Sequence, residues 1–262
     1  MTLLLTKMLG VLVVVVITMT ILWLISVWRR DSSVVDPFWG IGFVIVAGYA
    51  FVTTPTAQNA SRCLLLFALT AIWGLRLSLY LLWRNLGHGE DRRYKAMRDH
   101  HGPRFWWVSL LTVFLLQGVI LWIVSMPIQV AMFNASTSPL GWLDFAGASL
   151  WCVGLFFEAV GDWQMARFQA DPKNSGQVMD RGLWRLTRHP NYFGDFCIWW
   201  GLYLVATPGG AGWTVFSPLL MSFFLLKVSG VTLLEKTITA RRPDYAAYQA
   251  RTSAFFPSRP KS

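Results

Sequence analysis

A chain of 262 residues in which 55% are hydrophobic and only 14% charged, with a mean hydropathy of +0.46, falls outside the range of soluble domains, where about 25% of residues carry charge. The net charge of +10 does not indicate nucleic acid, because the basic residues sit between long apolar runs, where they obey the positive-inside rule and meet anionic lipid. The composition is that of an integral membrane protein.

About 20 apolar residues cross the hydrocarbon core. In chain order such runs fall at about 9–28, 38–56, 63–83, 105–128, 141–160, 192–207 and 213–234. They predict an all-α integral membrane protein with seven transmembrane helices, folded as a single membrane-embedded domain over 1–262. The first run is too long for a signal-peptide core and ends in SVWRRDSS, with no small-residue cleavage site, so it is kept as a span. Nineteen of the 23 Lys and Arg residues lie in the segments after spans 1, 3 and 5 and in the tail, against Lys7 and Arg62 on the other side. This asymmetry predicts an N-terminus outside and a C-terminus in the cytoplasm. Cys63, Cys152 and Cys197 all fall in spans, without metal or redox spacing, and no metal site is expected.

Ionisable residues inside a membrane by default face the bundle interior or a polar cavity. At helical spacing, span 3 places Trp73, Arg76, Tyr80 and Arg84 on one face. Span 5 does the same with Glu158, Asp162, Met165 and Gln169, and span 6 with Arg188, Asn191, Tyr192, Asp195 and Trp199. These stripes fit either interhelical pairing, for example Arg76 with Glu158, or a cavity lined from the cytoplasmic side.

Within RLTRHPNYFGD at 185–195, Pro190 suits the first turn of a helix, where its missing N–H costs nothing. Span 6 is therefore predicted to begin there. Arg185, Arg188 and His189 precede a helix N-terminus, which reads as a phosphate site or as a contact with lipid headgroups. Glu90, Asp91, Arg93 and Tyr94 form a loop cluster that reads as a lid over a cofactor or as a solvated charged face. Glu235 ends span 7, and the tail beyond it, with Arg241, Arg242, Tyr245, Tyr248 and Arg251, reads as a cover for an adenine or as a membrane anchor. No G-x-G-x-x-G follows a strand pattern, so a dinucleotide site of that kind is excluded.

The run GLWRLTRHPNYFGD resembles a signature shared by steroid 5α-reductases, sterol C14 and Δ7 reductases and isoprenylcysteine-type methyltransferases. DPFWG at 36–40, WGLRLSLYLLWRNLGHGEDRRYKAMR at 73–98, EAVGDWQMARF at 158–168, WWG at 199–201, SPLLMSFFLLKVSGVTLLEK at 217–236 and YAAYQARTSAFFP at 245–257 resemble the bacterial branch of the steroid 5α-reductase family (3-oxo-5α-steroid 4-dehydrogenase). They do so in order and over nearly the whole chain. The resemblance implies a seven-helix bundle in the bacterial inner membrane that binds NADPH on its cytoplasmic side. Spans within about 9–128 would hold the substrate pocket, and 141–262 most of the cofactor.

By match to the family's pattern, Arg76 and Tyr80 are similar to its Arg and Tyr on the third helix. Asp162 resembles its aspartate near the nicotinamide, and Asn191 its loop-to-helix asparagine. Asp195 stands where the animal enzymes have a glutamate. The resemblance further implies cofactor contacts from Arg84, Glu90, Arg93 and Tyr94; from Arg167, Asn174 and Trp184; from Arg188, His189 and Tyr192; and from Glu235, Arg241, Tyr245, Tyr248 and Arg251.

The implied reaction is hydride transfer to the β-carbon of a 3-oxo-Δ4-steroid or similar apolar enone. Asp36, Trp73, Tyr80 and Glu158 are the catalytic candidates. Trp73 departs from the family, standing where the animal enzymes use a tyrosine to hydrogen-bond the steroid carbonyl; an indole N–H donates but is no usable proton source. Asp36 matches only loosely by position. The expected partners are a lipophilic small molecule and the bilayer, with no nucleic acid and no obligate protein partner. The alternative class is an S-adenosylmethionine-dependent membrane methyltransferase of the isoprenylcysteine type, which shares the Arg-His-Pro-x-Tyr run and a glutamate near the last span.

Overall fold

The computed structural model describes residues 2–54, 60–134, 139–228, 235 and 244–260; Arg241 and Arg242, both expected near the cofactor, lie outside them. All regular structure among the described residues is helical. The chain divides into two compact units, one of Met1–Asp144 with Val205–Ser217 and one of Phe145–Leu204 with Pro218–Ser262. Among the described residues five helices are long and apolar enough to cross a membrane: Leu3–Arg29, Ser32–Thr53, Ser61–Asn85, Arg92–Val124 and Trp142–Ala170. Pro190–Ala206 and Gly212–Val228 are shorter.

The first unit holds α1 (Thr2–Arg29), α2 (Val35–Thr53), α3 (Ala60–Asn85), α4 (Arg92–His101), α5 (Phe105–Ser109), α6 (Leu116–Val124) and α7 (Met126–Phe133). Small residues let α2 and α3 approach closely, as membrane helices require when lipid is as apolar as leucine. A Cβ added at Gly74 would lie 2.5 Å from the carbonyl oxygen of Gly40. Away from that crossing, Phe43 packs on Trp73 (5.6 Å between ring centres) and Phe51 on Phe67 (5.3 Å), an antiparallel ladder. Ser78 Oγ accepts the Ile41 N–H at 2.9 Å. Between α1 and α2 the chain turns through Arg30, the one positive-φ non-glycine residue among those described (φ 53°). Asp31 then accepts the Ser33 N–H at 2.8 Å and starts the following turn.

An ion pair is enclosed in this unit. Arg62 donates from Nε to Asp144 Oδ1 (2.8 Å) and from Nη2 to Asp144 Oδ2 (3.0 Å) and the Pro139 carbonyl (3.0 Å). Gly141 N–H donates to the same carboxylate at 2.8 Å. Both ionic side chains are 1% exposed.

Two expectations need correction. The cluster of Glu90, Asp91, Arg93 and Tyr94 was expected as a loop, but Arg92–His101 is helical, because Asp91 caps it by accepting the Arg93 N–H at 2.8 Å. The fourth apolar run was expected to continue to about 128, yet its helix ends at Val124 and α7 begins at Met126. Pro127 has no N–H to give the preceding turn, so the helix cannot run through it. The turn Leu110–Leu115 inside that run is a π-helix.

The second unit is built on α8 (Trp142–Ala170) and α9 (Pro190–Ala206), with α10 (Phe216–Phe223) and α11 (Tyr245–Arg251). Pro190 opens α9, as its chemistry predicts. Glycines spaced by seven residues bring α8 and α9 into backbone contact. A Cβ at Gly154 would sit 2.5 Å from Gly194 O, one at Gly201 2.6 Å from Gly147 O, and one at Gly161 3.1 Å from the Pro190 ring.

Candidate functional site

In the second unit the polar residues gather where α9 begins. Arg188 donates through Nε and Nη2 to the two Glu235 oxygens (2.7 and 3.1 Å), and through Nη1 to the carbonyls of Gln249 (3.0 Å) and Thr252 (2.6 Å). An arginine has five N–H donors, so protein acceptors take four of them. His189 Nε2 lies 3.1 Å from Glu235 Oε1, and its ring stacks on Tyr192 at 5.5 Å. The backbone completes the clasp. Arg188 N–H donates to Ser253 O (2.9 Å), Ser258 N–H to Leu186 O (3.0 Å), and Thr187 Oγ1 to Phe255 O (2.8 Å). Tyr248 donates its hydroxyl to the Trp184 carbonyl, and the Trp184 indole donates to Gly161 O at 3.0 Å.

Burial by itself would raise the Glu235 carboxyl, but hydrogen bonds from His189 and Arg188 outweigh it and hold the group at about 2. Burial and the Glu235 charge push Tyr245 up to about 12, and burial raises Tyr248. A carboxyl with a depressed folded pKa stabilises the fold above its ordinary value near 4.5, and that contribution is lost as pH falls from there towards 2. Thermal melts of the detergent-solubilised protein should therefore fall steadily below about pH 4.5, and Glu235→Gln should flatten that dependence. An unchanged acid limb in the variant would remove Glu235 from the account.

Deeper along the same helices, Glu158 and Asp162 are 3% and 7% exposed, one helical turn apart on α8. Asn191 Nδ2 lies 3.4 Å from Asp162 Oδ1. Asp195, one turn further along α9, and Tyr192 are half-buried. The remaining expected residues of this unit lie towards the ends of α8 and α11. Arg167 lies over the Trp163 ring at 5.6 Å, Asn174 Nδ2 closes the end of α8 on Phe168 O at 2.9 Å, and Arg251 pairs with Asp180 at 2.5 Å.

The first unit brings its own candidates together. Asp36 accepts from the Tyr94 hydroxyl (2.7 Å) and from Arg93 Nη2 (2.9 Å). Gln117 Nε2 donates to the Tyr94 oxygen at 3.3 Å, and Trp39 donates its indole N–H to Gln117 Oε1. Glu90 binds Arg98 through two hydrogen bonds (2.8 and 2.9 Å) and accepts the Ser32 N–H at 2.8 Å. Burial opposes ionisation of Glu90, yet those donors hold its carboxyl below the ordinary range. Along α3, the Arg76 and Arg84 guanidinium groups flank the Tyr80 ring at 5.7 and 5.9 Å, and Trp73 is 1% exposed against Phe43. The sequence reading missed Trp39 and Gln117. Trp39 lies inside DPFWG, which is the signal that could have drawn it in; Gln117, a polar residue in an apolar run, stands out only by its chemistry.

The long apolar helices and the polar residues enclosed among them define a multi-pass, all-α membrane protein. The chain belongs to the family described as a protein of unknown function (DUF1295), which matches residues 22–252. It is 28% identical over 267 residues to the uncharacterized protein C594.04c of Schizosaccharomyces pombe (strain 972 / ATCC 24843), covering 90% of this chain and 76% of the yeast one. No solved structure matches the chain.

Proposed function

We propose that the protein is a seven-span membrane reductase that uses NADPH to reduce the Δ4 double bond of a 3-oxo-Δ4-steroid or a similar apolar enone, with its cofactor side towards the cytoplasm. The ordered motifs from DPFWG to YAAYQARTSAFFP support this reading. The observation that carries it is the enclosed group of Glu158, Asp162 and Asn191 where α8 and α9 meet backbone to backbone. Buried carboxyls on a glycine-faced helix pair are costly to maintain in a membrane and mark a working site.

The residues fit the cofactor. A nicotinamide carboxamide presents an N–H donor and a carbonyl acceptor, and Asp162 with Asn191 offers the complementary acceptor and donor. Arg167, Arg185 and Arg251 are suited to its phosphates, whereas Arg188 is mostly engaged by Glu235 and backbone carbonyls. When bound, NADPH supplies the hydride. The chain's own part is to exclude water and to donate a hydrogen bond to the substrate carbonyl while negative charge develops there; Glu158 in its protonated form is assigned that task, since a carboxylate only accepts. Glu158→Gln should lower kcat about a hundredfold or more and leave NADPH affinity within about twofold. Equal loss of both would assign Glu158 to binding.

The Arg188–His189–Glu235 cluster joins the Arg-His-Pro-x-Tyr run to the glutamate near the last span, two features that isoprenylcysteine-type methyltransferases share, so the methyltransferase reading is tested beside this one. NADPH oxidation by the purified full chain in detergent, with progesterone or testosterone added, is the deciding measurement, and S-adenosylmethionine binding is run alongside. Steroid-dependent oxidation with a 5α-dihydro product supports the reductase. Binding of the methyl donor without NADPH binding overturns it.

A further inference from the structure

A cleft of about 450 Å³ opens in the first unit, between the end of α1 and the start of α5. That volume lies within the roughly 300–1,000 Å³ of small-molecule sites. Its lining is divided by chemistry. Arg30, Arg98, Ser32 and Ser109 supply polar groups, and Phe105 and Trp106 supply apolar surface.

Arg98 is held in place, and Arg30 is presented by a turn. Arg98 lies over the Phe105 ring at 4.6 Å with Nε and Nη2 fixed by Glu90, so its guanidinium is immobilised with Nη1 still able to donate. Arg30 adopts the left-handed conformation, which non-glycine residues seldom do and which gathers at ligand clamps and switch regions. Trp23 stacks on Trp106 and donates to its carbonyl at 2.7 Å, firming the apolar wall. Trp106, which lines the cleft, is 55% exposed, and Trp28 and Trp107, each next in the chain to a lining residue, are 84% and 44% exposed. Exposed tryptophans at the end of an apolar helix mark the depth of lipid headgroups.

We propose that this cleft binds the phosphate-bearing head of an anionic phospholipid, with Arg30 and Arg98 on the phosphate and Phe105 and Trp106 against the glycerol and upper acyl chain. The inference is independent of the reductase reading. Glu90 offsets the charge of Arg98 but not its geometry, and guanidinium geometry is what suits a phosphate.

The test uses the full chain, delipidated in detergent, titrated with dioctanoyl phosphatidylglycerol and separately with dioctanoyl phosphatidylcholine, NADPH and pyrophosphate. Adducts are counted by native mass spectrometry and melting temperature is followed in parallel. Phosphatidylglycerol should bind saturably and more tightly than phosphatidylcholine. Arg30→Gly should weaken it about fivefold or more without lowering the melting temperature, because glycine accepts φ 53° freely. Arg29→Gln removes the same charge outside the cleft and should leave binding intact.

Equal loss in Arg29→Gln would reduce the effect to diffuse charge and overturn the proposal. Equal binding of phosphatidylcholine would do the same. If Arg30→Gly instead weakened NADPH or pyrophosphate and spared phosphatidylglycerol, the ligand would be a soluble phosphate compound and the lipid assignment would fall.

Discussion

Arg62→Met is expected to destabilise the protein by about 3–5 kcal/mol, because it leaves the Asp144 carboxylate buried without its cation. Asp144→Leu should cost a similar amount by leaving the buried guanidinium charge without its carboxylate. Both side chains are 1% exposed, so solvent cannot take over the lost partner. The double variant is expected to recover most of the loss, since two apolar residues of similar volume need no ionic partner. Recovery should stop about 1–3 kcal/mol short, because the Gly141 N–H would lose its acceptor and the Pro139 carbonyl its donor. Reversible unfolding in mixed detergent, run on both single variants and the double, measures the cycle. Single-variant losses under about 1 kcal/mol would mean that water reaches the pair and that the enclosed geometry is wrong.

Gly194→Val should abolish folding of the second unit. Even the first carbon of a side chain there would lie 2.5 Å from Gly154 O and 2.6 Å from Glu158 N, both backbone atoms that cannot swing aside. Ordinary overpacking costs about 1–3 kcal/mol because side chains rearrange; here the helices themselves must separate. Gly194→Ala should be the milder form of the same defect, and any folded fraction should lose activity through displaced Glu158. Gly141→Ala meets nothing within 4 Å and serves as the control. Size-exclusion profiles of the detergent extract report the outcome, and a monodisperse Gly194→Val protein of normal melting temperature would rule out the close contact.

What was legible in the sequence follows from the range of the interactions involved. Long apolar runs announce α1, α2, α3 and α8 because lipid demands an unbroken apolar length. Pro190 marks the start of α9 because its ring settles the question locally. The stripe of Arg76, Tyr80 and Arg84 is readable because residues three and four apart share a helix face, and those side chains do meet.

Other features had no local signal. Arg62 counted as a stray cation on the sparsely charged side, and its partner lies 82 residues away. Asp36 was only a loose positional match, although Tyr94, 58 residues on, holds it directly. Helix α4 is too polar to show an apolar period, and only its cap at Asp91 explains it. The glycine contacts of α8 and α9 went unread, because the seven-residue spacing of Gly147, Gly154 and Gly161 marks a face open to close approach but does not name the helix that approaches. Arg188 was read as a phosphate ligand or a lipid-headgroup contact from its place before a helix; that its donors are turned to Glu235 and the tail depends on chain that arrives much later.

That last feature orders events during synthesis. Thr187 is closed by the Phe255 carbonyl, 68 residues further along. At about 5–20 residues per second, roughly 3–14 s of synthesis separate Thr187 from the carbonyl that closes it, and until the tail emerges the Arg188 Nη1 group lacks its acceptors on Gln249 and Thr252.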